Sequence, residues 1–159
     1  MKRSVKLWYL AVLSIFVVSC TSDDDICDSG EGTPQLKLRF RTQSTGKLKT
    51  LDSLYLKVDY GNGPVEVIRK ANVDSVLVPL RVDDAPYTDF YVKLNKTGDS
   101  SVIRVNYTTK SIYVSPACGI KRNYENVSTT LVKDQPVVQL TQDLNEISNE
   151  NKTHLYLLF

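Results

Sequence analysis

From residue 34 onward the apolar side chains of this chain recur at every second position rather than every third or fourth. A strand with one buried face requires a period of two, so the core is expected to be built from sheet and not from amphipathic helices. In Leu36-Lys37-Leu38-Arg39-Phe40-Arg41 the apolar residues take one side and the cations the other. Leu54, Leu56, Val58 and Tyr60 alternate with Tyr55, Lys57 and Asp59. The same rhythm returns at Phe90, Val92 and Leu94, at Ile103, Val105 and Tyr107, at Ile112 and Val114, and at the terminal Leu155, Leu157 and Phe159. Gly61-Asn62-Gly63-Pro64, Asp83-Asp84-Ala85-Pro86 and Asn95-Lys96-Thr97-Gly98-Asp99 supply turns between them.

About eight or nine short strands with regular turn signals predict an all-β domain of two antiparallel sheets packed about 10 Å apart, an Ig-like or similar β-sandwich. Pro79 has no N–H to donate, which puts Val76-Leu77-Val78-Pro79-Leu80 at an edge or a strand end. Residues 142–152 form the one stretch compatible with a helical turn. A chain of 159 residues holds one such domain, expected over 33–159. An outer-membrane barrel is a poor fit, because its strands need about 9–11 residues with an apolar outward face.

The first nineteen residues obey a different pattern. Lys2, Arg3 and Lys6 precede a nearly unbroken apolar run over residues 7–18, too short for the roughly 20 residues of a membrane-spanning helix but suited to a secretory signal. The run ends in Val17-Val18-Ser19-Cys20, which resembles the lipobox of bacterial lipoproteins. That resemblance implies cleavage before Cys20, acylation of its thiol and its new N-terminus, and a membrane partner reached through the anchor. It divides the chain into a signal peptide (1–19), a lipidated Cys with an acidic tether (20–32) and the sandwich. Cleavage takes Lys2, Arg3 and Lys6 from 20 basic residues, leaving 17 against 18 acidic ones. A chain so close to neutrality has no overall field to gather phosphates, and no nucleic-acid partner is expected.

Asp23-Asp24-Asp25, directly behind Cys20, keeps a tether extended by repulsion; it also resembles the surface-export signal of Bacteroidetes lipoproteins. The cell surface is the expected location, with the periplasmic face of the outer membrane as the alternative. Once Cys20 is acylated, Cys27 and Cys118 form an even set in an oxidising compartment and are expected to pair, the alternative being two unpaired buried thiols. Cys27 lies seven steps from Cys20, at most about 25 Å of extended chain, so this pairing would hold the Cys118 end of the domain close to the lipid. The lipobox, the tether with its second Cys, the Leu-Lys-Leu-Arg-Phe strand, Asp74-Ser75-Val76-Leu77-Val78-Pro79-Leu80 and Tyr113-Val114-Ser115-Pro116-Ala117-Cys118-Gly119 together resemble an uncharacterised family of small Bacteroidetes outer-membrane lipoproteins. That resemblance transfers no catalytic residue.

No motif for cofactor, zinc or phosphate binding is present, and neither cofactor nor metal is expected. Asp143-Leu144-Asn145 opens like a calcium loop but places Ile147 and Ser148 where a ligand and a glycine belong. His154, the only His, has no recognisable nucleophile and Asp arranged around it and reads as structural or exposed. Asp83-Asp84 is a carboxylate pair more characteristic of a turn than of a glycosidase. Asp52-Ser53-Leu54 and Asp74-Ser75-Val76 resemble Bacteroidetes O-glycosylation sites, at Ser53 and Ser75.

Lys37, Arg39 and Arg41 share one strand face. They read as a charged edge strand that discourages pairing with other chains, or as a patch for an anionic ligand that Tyr55 and Lys57 would extend if their strands are neighbours. The function expected from these features is that of a lipid-anchored, non-enzymatic binding or scaffold module of the cell envelope, with a protein or glycan partner. The alternative is a surface glycan-binding accessory protein of a nutrient-uptake system, which Tyr55, Tyr91 and Tyr113 clustered on one face would favour.

Overall fold

The computed structural model describes residues 32–116 and 118–159. The expected signal peptide, the expected lipidation site Cys20 and Cys27 lie outside them. Among the described residues there are nine strands and no helix: β1 (Leu36–Arg41), β2 (Leu51–Asp59), β3 (Pro64–Val73), β4 (Ser75–Val78), β5 (Tyr87–Lys93), β6 (Ser101–Ser115), β7 (Gly119–Lys133), β8 (Gln139–Gln142) and β9 (Leu155–Leu158). They form a four-stranded sheet in the order β4-β1-β9-β8 and a five-stranded sheet in the order β3-β2-β5-β6-β7. The inner faces close on one core. Leu36, Leu38, Phe40, Leu155 and Leu157 come from the first sheet, and Leu54, Leu56, Val58, Phe90, Val92, Ile103 and Val105 from the second; all are fully buried. The all-β sandwich and its alternation are therefore as the sequence implies.

Four details differ from the sequence-based expectation. The pairing is not wholly antiparallel, because β9 runs parallel to β1, with Leu38 opposite Leu155 and Phe40 opposite Leu157. β1 is consequently an interior strand, not a charged edge; the edges of its sheet are β4, which Pro79 ends, and β8. The strands are not all short, since β6 and β7 each run 15 residues as one twisted ribbon whose turn lies between Ser115 and Gly119. Residues 142–152 make no helical turn: Ile147 is fully buried and bridges Tyr124 of β7 through two backbone hydrogen bonds of 2.8 and 3.1 Å.

Local chemistry sets the turns. Between β2 and β3, Gly61 and Gly63 adopt φ of 102° and 96°, and Asp59 Oδ1 accepts hydrogen bonds from both of their N–H groups at 2.7 and 3.1 Å. In β3 the register slips opposite Leu56 and Lys57, so Val67 is an extra residue. Strict alternation would send Glu66 and Arg69 to opposite faces; the bulge turns both outward.

Candidate functional site

The outer face of the five-stranded sheet is a small lattice fixed by two registers. Tyr55 lies opposite Arg69 on β3 and opposite Lys93 on β5, while Lys57 lies opposite Glu66 and opposite Tyr91. Tyr55 and Tyr91 are therefore diagonal neighbours, as are Lys57 and Lys93, with diagonal spacings of about 7–8 Å within reach of long side chains. Together with Lys96 these residues line a concavity of about 210 Å³. The Arg69 guanidinium sits 5.4 Å from the centre of the Tyr55 ring and 3.3 Å from Glu66, which is the one acid of the lining. Lys57, Lys93 and Lys96 form no ion pair among the described residues. The Tyr91 hydroxyl is pushed up from its ordinary value, by burial first and then by the charges of Asp59 and Asp89, and it stays neutral at physiological pH. Next to Tyr91 on the same face of β5, Asp89 forms a forked ion pair with Arg104 of β6, at 2.8 Å for each hydrogen bond.

The basic strand offers less. Lys37, Arg39 and Arg41 do share the outer face of the four-stranded sheet, but its neighbours there come from β4 and β9. Tyr55 and Lys57 belong to the other sheet, so they do not extend the patch. The Lys37 ammonium donates to the Glu150 carbonyl at 3.1 Å, and the Arg41 guanidinium stacks 3.6 Å from the centre of the Tyr156 ring. Two of the three cations are thus engaged within the protein. Of the three tyrosines expected to cluster, Tyr55 and Tyr91 do and Tyr113 does not. It lies far along the β6–β7 ribbon, 66% exposed, opposite the equally exposed Ile120.

Other candidate residues are occupied. Asp83 is clamped by Arg81 through a short ion pair and held below the usual carboxylate range by it, while Asp84 pairs with Arg122 at 2.9 Å. Ser53 lies within β2 and its hydroxyl donates to the Leu94 carbonyl at 2.9 Å, whereas Ser75 opens the edge strand β4 and donates to Asp74 Oδ1 at 3.0 Å. No cluster of three or more His, Cys, Asp or Glu able to hold a metal occurs among the described residues. Cys118 sits in the ribbon turn, its N–H donating to Ser115 Oγ at 3.1 Å, and is disulfide-bonded. Its expected partner, Cys27, is outside the described residues.

His154 is structural. Its Nδ1 accepts the Lys37 N–H at 2.9 Å and its own N–H donates to the Lys37 carbonyl at 3.0 Å, locking the entry of β9 against β1. Burial pushes its pKa below the usual 6.5, and the Lys37 charge acts the same way; a backbone hydrogen bond at Asn149 and the Glu150 charge oppose it without prevailing. The unfolded chain therefore takes up this proton first as pH falls. His154's contribution to stability is complete above pH 6.5 and is lost progressively below it, down to the lowered folded value. Melting temperature followed from about pH 8 to pH 5 is expected to fall in that window for the wild type. His154→Asn, which keeps an acceptor for Lys37 but cannot titrate, is expected to lack this part of the slope.

The fold and this surface define an open two-sheet β-sandwich with a cationic, tyrosine-bearing outer face. A family model described as a family of unknown function (DUF6452) matches residues 52–159, and the chain belongs to that family. No curated protein and no solved structure matches it.

Proposed function

We propose that the protein is a lipid-anchored, non-enzymatic binding module of the cell envelope, held at the outer membrane by acyl chains on Cys20 and displayed at the cell surface. The observation that carries the binding role is the lattice of Tyr55, Lys57, Tyr91 and Lys93, whose three neighbouring lysines have no ion-pair partner among the described residues. The arginine-clamped Asp83 and Asp84 and the buried His154 support a role without acid–base chemistry, since a proton-transferring group needs a tuned pKa and access to a substrate.

The anchor rests on the resemblance of Val17-Val18-Ser19-Cys20 to a lipobox and of the following acidic run to a Bacteroidetes export signal. The disulfide-bonded Cys118 supports an oxidising compartment, and Cys27 is the partner we assign to it. With that pairing the ribbon turn lies at the lipid, where the exposed Tyr113 and Ile120 suit an interfacial position. Cys20→Ala is expected to move the protein from the membrane to the soluble fraction. Wild-type protein is expected to be cleaved by protease added to intact cells; a membrane-bound but protected protein would place it on the periplasmic face.

A glycan-binding accessory role is the second reading. The pairing of Tyr55 and Tyr91 in one concavity favours it, because flat aromatic faces suit the apolar faces of sugar rings.

A further inference from the structure

We propose that the concavity between Tyr55 and Tyr91 binds a polysaccharide bearing carboxylate or sulfate groups. This inference rests on the binding-module reading and names its ligand class and residues. Four cations, Lys57, Arg69, Lys93 and Lys96, line the site against the single acid Glu66, which Arg69 already neutralises. The remaining lysine charges form no ion pair among the described residues, so an anionic ligand is their complement. The two tyrosines lie diagonally between these charges, so a sugar ring laid on an aromatic face has its acid group beside an ammonium.

The size of the site argues for a chain held from one side. At about 210 Å³ it is smaller than the roughly 300–1,000 Å³ of pockets that enclose small ligands. A polymer can repeat such a contact along its length, and weak contacts made in series raise its overall affinity. The placement also fits a ligand outside the cell. Tyr91 pairs across the sheet with Val102, and thirteen residue steps along β6 separate Val102 from Ser115 at the ribbon turn. At about 3.3 Å per residue the ribbon sets the site roughly 40 Å from the Cys118 end.

Affinity electrophoresis of the purified full chain tests this with dextran sulfate, polygalacturonate, neutral dextran and polyglutamate. Retardation is expected in the two anionic polysaccharides, weakening with added salt, and not in neutral dextran. Replacing Lys57, Lys93 and Lys96 together by Gln, or Tyr55 and Tyr91 together by Ala, is expected to weaken it about tenfold or more. Replacing Lys37, Arg39 and Arg41 together by Gln is expected to leave it unchanged. No retardation by either anionic polysaccharide would overturn the proposal, as would full retention of binding by the double tyrosine variant. Equal binding of polyglutamate would overturn the ligand class while leaving the binding module in place. Fractionation of Cys20→Ala reports on the anchor alone, so the two readings fail separately.

Discussion

Reducing the disulfide at Cys118 is expected to destabilise the domain by about 2–5 kcal/mol, the usual loss when a native disulfide is removed from a small exported domain. If Cys27 is the partner, the closed loop spans 91 positions, and the chain-entropy model gives about 4–5 kcal/mol for a loop of that size. Cys118→Ser and Cys27→Ser are then expected to lower the urea midpoint equally, with the double variant no worse than either single one. Cys20→Ser is expected to leave the midpoint unchanged. If Cys27→Ser matched the wild type while Cys118→Ser lost stability, the assigned pairing would be wrong. The same variants carry a structural consequence. On the proposed Cys27–Cys118 pairing and Cys20 anchor, loss of the bridge would free the ribbon turn from the tether and with it the spacing we propose between the lattice face and the lipid.

The second large effect is in the core. Phe40 is fully buried on β1 and meets the Phe159 ring edge-on at 6.0 Å, where the C-terminal strand lies along β1. Phe40→Ala is expected to cost about 3–5 kcal/mol, a fall in melting temperature on the order of 10–20 °C. Arg39 is one residue away on the opposite face, and Arg39→Ala is expected to stay within about 0.5 kcal/mol of the wild type. Thermal melts of the two variants therefore test the register of β1 directly. Comparable losses would mean that the strand does not present Phe40 to the core.

This contrast was legible in the sequence, because strict alternation in Leu36-Lys37-Leu38-Arg39-Phe40-Arg41 decides which side faces inward. The inner faces of β2 and β5 were readable in the same way. Partner identity was not. The parallel contact of β1 with β9 joins residues more than a hundred positions apart, and nothing local in either strand specifies it. The ribbon was hidden for a related reason. Past Tyr107 β6 is no longer buried: Thr108, Thr109, Lys110 and Ser111 interrupt the apolar alternation before it resumes at Ile112 and Val114, so one strand of 15 residues reads as two short ones. The polar stretch over residues 142–152 looked compatible with a helical turn because the burial of Ile147 depends on a distant bridge to Tyr124.

The binding lattice was half visible. Tyr55, Lys57 and Tyr91 each stood on the polar side of an alternating strand, but their meeting depends on β2 pairing with β5 across the intervening β3 and β4. Lys93 and Lys96 joined them only through that register. The link between Arg69 and Glu66 depends on the bulge at Val67, which moves one side chain across the sheet without any signature in composition. Sequence reasoning placed the cationic surface on β1 instead, where charge alternates most regularly. The structure shows there that Lys37 and Arg41 already have partners in the protein.

The envelope assignment has one direct test, the intact mass of the chain extracted from cell membranes. The expected species begins at residue 20 and carries the added mass of acyl chains on that cysteine. A polypeptide still bearing its first nineteen residues, or one with an unmodified sulfhydryl at position 20, would contradict the account.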